Sequence, residues 1–97
     1  DMAFAVNRIA WNRGGIVVVE NGQVLAELPL EIAGIISGKP LREVNTLLED
    51  AKKAAHALGV GTDIDPFMTL SFMSLPVIPT LRLTTRGVVD VNTQQYV

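Results

Sequence analysis

The stretch Gly15-Ile-Val-Val-Val-Glu-Asn-Gly-Gln-Val-Leu-Ala-Glu-Leu28 decides how this chain folds. Two apolar runs flank Asn21-Gly22, and Asn-Gly adopts the positive φ angles of a type I′ turn at little steric cost. The pattern predicts an antiparallel hairpin. Ile16 to Val19 is apolar without alternation, as expected of a strand covered on both faces. Pro29 closes the second strand, because proline has no amide to give to a ladder.

Upstream, Asp1 is placed to cap a helix with its carboxylate. Met2, Val6, Ile9 and Ala10 follow at helical spacing until Gly14-Gly15 stops the pattern. Downstream, Glu31 to Ser37 reads as a short helix ended by Gly38. Pro40 opens the longest helix, which runs to Leu58 with Gly59 as a left-handed cap. Its apolar stripe is Leu41, Val44, Leu47, Leu48, Ala51, Ala55 and Leu58, and a Glu49–Lys53 pair lies on the opposite face. Asp65-Pro66 is a second cap-plus-first-turn signal, predicting a largely buried helix over Pro66 to Leu75. Pro76 and Pro79 force an extended passage. Leu81 to Thr85 alternates as a strand, Arg86-Gly87 turns, and Val88 to Val91 returns. Asn92 to Val97 is polar and expected to fray.

Ninety-seven residues make at most one domain. A chain of this size buries only about two-thirds of its unfolded surface. Yet 48% of the residues are hydrophobic and only 19% charged, a surplus that predicts an interface with a larger body or with another copy in a homo-oligomer. Net charge is −2 without a basic stripe, so nucleic acid is not an expected partner. The absence of cysteine excludes disulfides and thiolate metal sites and fits a reducing cytoplasm. No apolar run approaches the ~18–20 residues that span a bilayer, so no membrane partner is expected. The first residues lack the pattern of a signal peptide. The chain opens on Asp1, one step before a helical pattern, and reads as cut from a longer protein.

Residues capable of chemistry are few. His56 is the only histidine; its neighbours are Lys52 and Lys53, and it reads as a surface residue near a helix end rather than a ligand. Gly59-Val-Gly-Thr-Asp63 follows a helix, whereas a phosphate loop follows a strand and opens a helix. Asp63 and Asp65 fall short of the ligand count a hard cation needs. Thr69, Ser71 and Ser74 have no base placed to activate them, so bonds to preceding helical carbonyls are expected. Met68, Phe72 and Met73 read as core or interface filling. Trp11 reads as a second interface residue or a core anchor. Hydrolytic chemistry needs an activated water and an acid/base group, a centre that a lone histidine and no cysteine cannot build. The predicted set of catalytic, cofactor-binding and metal-binding residues is therefore none.

Four stretches carry a likeness in one order: Ala5-Val-Asn-Arg-Ile9, Gly14 to Leu30, Ile32-Ala-Gly-Ile-Ile-Ser37, and Pro66-Phe-Met-Thr-Leu-Ser-Phe-Met-Ser-Leu-Pro-Val-Ile-Pro79 running on to Asp90. Together they resemble the closing segment of bacterial adenine deaminases, amidohydrolase-type enzymes that hydrolyse adenine to hypoxanthine and ammonia in purine salvage. The resemblance implies a C-terminal domain over residues 1–97, partnered by the N-terminal barrel of the same enzyme. That barrel carries manganese or iron on a His-x-His motif and other ligands. The family also has a Ser-His-Asp-Ser-His motif shortly before the matching region. None of these residues occurs here, so no site residue transfers, and no cofactor is expected on this piece.

The expected fold is α+β in two layers: an antiparallel sheet built on the Asn21-Gly22 hairpin, joined by Leu81–Thr85 and Val88–Val91, with helices packed on it. The expected role is a supporting or associating domain of the deaminase, inactive alone. The alternative is a free-standing interaction or small-ligand-binding module. A third reading keeps the architecture and changes the substrate to another purine or a cyclic amide.

Overall fold

Asn21 and Gly22 both take positive φ, 51° and 72°, and join β1 (Gly15–Glu20) to β2 (Gln23–Pro29) in the predicted two-residue turn. The computed structural model describes all residues from Asp1 to Val97. Pairing is antiparallel from Glu20↔Gln23 to Gly15↔Pro29, with a bulge that shifts the register between Val18 and Val19. The chain divides into two compact units, residues 1–62 and 63–97.

In the first unit, α1 (Met2–Trp11) packs on β1, and α2 (Leu41–Ala57) packs on both strands of the hairpin, mainly β2. The unit's buried apolar residues are Val18, Leu28, Ala51 and Ala55. Two alanines on α2 let its backbone approach the strands, while the stripe frays at its ends: Leu41 and Leu58 are exposed. β1 thus meets both α1 and α2, in keeping with its unbroken apolar run.

Several local expectations change. α1 turns Ala5, Arg8, Ile9 and Asn12 inward and leaves Met2 and Val6 exposed. Their i, i+3, i+4, i+7 spacing is helical, but two of the four are polar. Asp1 sits at the N-cap position without a side-chain cap bond. Its carboxylate instead accepts from the amides of Asn21 at 2.9 Å and Gly22 at 2.7 Å. Glu31 to Ser37 is not a helix. Ala33 and Gly34 have φ of 56° and 78°, and Ile32 bridges antiparallel to Ile36, because a left-handed pair interrupts right-handed helix. The exposed carboxylate–ammonium contact on α2 joins Glu49 to Lys52 at 3.4 Å, rather than Glu49 to Lys53.

In the second unit, α3 (Pro66–Met73) is followed by β3 (Leu81–Thr84), β4 (Gly87–Asp90) and β5 (Gln95–Tyr96). These strands form their own three-stranded sheet, order β3-β4-β5, and do not extend the hairpin. The α+β class stands, with two small antiparallel sheets in place of one. The tail does not fray: Val89 pairs with Tyr96, the Val97 amide donates to the Val88 carbonyl at 2.9 Å, and the Arg86 guanidinium lies 5.7 Å from the centre of the Tyr96 ring. Asn92 and Thr93 bend back on Asp90 Oδ1, a local turn that their polar composition disguises.

Candidate functional site

The residues with chemical potential are scattered and engaged in local structure. His56 Nδ1 lies 3.1 Å from the Val60 carbonyl, and the ring is half-buried at the exit of α2, more enclosed than a surface residue. It braces the turn where Gly59, at φ 114°, reverses the chain. Gly59 is therefore a helix terminator, and the loop to Asp63 follows a helix rather than a strand. Asp65 caps α3 by accepting from the amides of Phe67 and Met68 at 3.1 and 3.0 Å. No three His, Cys, Asp or Glu side chains gather into a group that could hold a metal ion. The donor set for the manganese or iron implied by the resemblance is thus lacking in this chain.

A cavity of about 430 Å³ lies over the start of α2, lined by Pro40, Arg42, Glu43, Thr46 and Leu47. Two of its polar groups are engaged: Glu43 faces Lys39 at 3.6 Å and the Thr46 hydroxyl donates to the Arg42 carbonyl, while the Arg42 guanidinium is the one other charged group on the lining. An open groove with one paired carboxylate offers no acid/base couple.

The most developed polar cluster lies among residues that the sequence pattern did not single out. Arg8 forms a two-pronged pair with Glu27, Nε to Oε2 and Nη2 to Oε1, both at 2.8 Å, and Asn12 Nδ2 donates to Oε2 at 3.0 Å. Glu27 is half-buried on the strand face opposite the buried Leu28, where a carboxylate gains from partners. That position, with Arg8 and Asn12 one turn apart, was the available signal. Hydrogen bonding to Arg8 holds the Glu27 carboxyl at about 2 against an ordinary 4.5; partial burial opposes this, and Asn12 adds to it. The folded state therefore favours the ionised form. The resulting stabilisation is complete above pH ~4.5 and is lost as pH falls toward ~2. Acid titration of stability should show this loss between those values, and Glu27→Gln should flatten it while costing about 1 kcal/mol at neutral pH. An unchanged acid limb in the variant would discount the cluster as a stabilising device.

What the surface does offer is apolar area. Five hydrophobic residues are buried, whereas twenty-two large ones are exposed. Trp11 is 80% exposed, so the core-anchor reading falls. α3 was expected to be largely buried. Only Pro66 is, because the 35-residue unit around it supplies no second layer to cover the rest. Met68, Leu70, Phe72, Met73, Leu75 and Val77 face outward. The hydroxyls among them behave as predicted: Thr69 and Ser71 donate to the Asp65 and Met68 carbonyls at 2.7 Å, and Ser74 to Ser71 at 3.2 Å. No helix is long and apolar enough to cross a membrane.

Known proteins match the chain along its length. Residues 1–95 fit the family described as adenine deaminase C-terminal domain. "Adenine deaminase 2" of Carboxydothermus hydrogenoformans is 50% identical over 93 residues, covering 96% of this chain and 16% of that protein. Adenine deaminases of Nitratidesulfovibrio vulgaris strain Hildenborough and Geobacillus kaustophilus are 48% and 42% identical over 97 residues, which cover 99% and 100% of this chain and 17% of each relative. The chain spans about a sixth of the length of these curated relatives. A match that runs from the first helix through the last sheet shows that the chain belongs to the adenine deaminase C-terminal domain family.

Proposed function

We propose that residues 1–97 are the C-terminal domain of an adenine deaminase that hydrolyses adenine to hypoxanthine and ammonia in purine salvage, in the cytoplasm. The observation that carries this reading is the family match over residues 1–95, together with relatives named for that activity. The domain takes no chemical step itself. Its part is to support the catalytic barrel or to mediate association, and its exposed apolar residues supply the adhesive surface. Deamination needs a polarised water and a proton donor for the leaving ammonia, and no cluster on this chain is fitted to provide either. Manganese or iron, on this reading, belongs to the barrel. The small-ligand alternative gains little from the open groove on α2, whose only carboxylate is already paired with Lys39 and which leaves a single cation, Arg42, to meet a ligand.

Two assays test the proposal. The 97-residue chain with added manganese should release no ammonia from adenine, while the full-length enzyme carrying it should do so. Turnover by the short chain would refute its non-catalytic role; a full-length protein inert toward adenine would refute the substrate.

A further inference from the structure

We propose that Pro66–Pro79 is a plug, inserted into an apolar cleft in the remainder of the same polypeptide and enclosed on several sides. This rests on the reading of the chain as one domain of a longer enzyme.

A helix that meets one partner surface buries one stripe and keeps a polar back. α3 has no such division. At 3.6 residues per turn, Leu70 and Phe72 project ~160° apart and Met68 and Met73 ~140° apart, and all four are exposed. No Asp, Glu, Lys or Arg occurs from Pro66 to Thr80. A helix apolar all round belongs inside a protein body.

The hydroxyls give an independent indication. Ser71 and Ser74 donate to backbone carbonyls within the segment and Thr69 to the carbonyl of Asp65 just before it, so the segment can leave water without stranding a side-chain donor. Pro76 and Pro79 each remove one backbone amide that burial would otherwise have to satisfy.

The occupant of the surrounding space follows from length and geometry. Relatives carry over four-fifths of their residues outside the matched region, enough to form a cleft. A second copy meeting this one across a two-fold axis presents a single shared patch, which leaves the far side of α3 wet. A membrane surface would select an amphipathic helix with a basic polar face, and α3 has neither charge nor a polar face.

Peroxide oxidation of the full-length enzyme, read by peptide mass spectrometry, tests the plug through its two methionines, because thioether oxidation follows exposure. In this chain Met68 and Met73 are 57% and 52% exposed. In the full-length protein both should oxidise at least about tenfold more slowly than in the denatured protein, at every protein concentration. Oxidation of both at the denatured rate would overturn the plug. Protection of one methionine alone would reduce it to a one-sided contact and overturn enclosure. Protection that disappears on dilution to monomers would assign the site to a second copy. Adenine turnover by the same preparation is read separately: if it is absent while both methionines stay protected, the substrate assignment fails and the plug stands.

Discussion

Truncating Leu28 to alanine should remove about 2–5 kcal/mol from the stability of the hairpin unit, the range for deleting a buried leucine side chain. Leu28 is only 2% exposed, and the unit has just three other buried apolar residues, Val18, Ala51 and Ala55. Ala51 and Ala55 cannot reach inward to fill the void, and strand pairing from Ile16↔Leu28 to Val18↔Ala26 restrains collapse from the other side. The loss should therefore approach the upper part of that range. Denaturant unfolding followed by far-ultraviolet circular dichroism measures it, with Leu25→Ala as the comparison. Leu25 is exposed at the bulge and should cost less than about 1 kcal/mol. Equal losses at the two positions would mean that the hairpin does not form the core described.

Gly15→Ala should cost about 3 kcal/mol or more and is expected to open the base of the hairpin. Gly15 has φ of 124°, a region that side chains rarely enter, and a methyl group there would run into the Leu28 carbonyl and the Leu30 amide nitrogen. The obstacle is backbone on the paired strand, so no rotamer change relieves it. The nearby control is Gly22→Ala, where φ is 72° and nothing lies within contact distance of an added carbon. That change pays only for the left-handed conformation, about 1–2 kcal/mol. A Gly15→Ala protein as stable as Gly22→Ala would show that close strand approach at Gly15 is not what fixes the glycine.

The hairpin, α2 and the Asp65 cap were legible because each is written in neighbouring residues: Asn21-Gly22, the stripe through Ala51 and Ala55, and Asp65-Pro66. Long-range partners were not. Asp1 looked like a cap because its own helix follows, yet its carboxylate finds better donors twenty residues away at the turn. The inward face of α1 was misassigned because Arg8 and Asn12 are polar, and only Glu27 on a neighbouring strand makes their burial tolerable. The separate sheet of β3, β4 and β5 depends on which strands meet, a choice that alternation within each strand leaves open.

The close approach of Gly14 to Gly34 has a bearing on how this domain tolerates change. A methyl group on Gly14 would strike the Cα and carbonyl oxygen of Gly34 and the carbonyl oxygen of Leu30. The irregular segment between β2 and α2 is thus moored at its midpoint and is no slack tether. Inserting a reporter or lengthening the chain between Leu30 and Gly34 would displace that mooring, so epitope grafts belong elsewhere, and natural variation at positions 14 and 34 should be correlated.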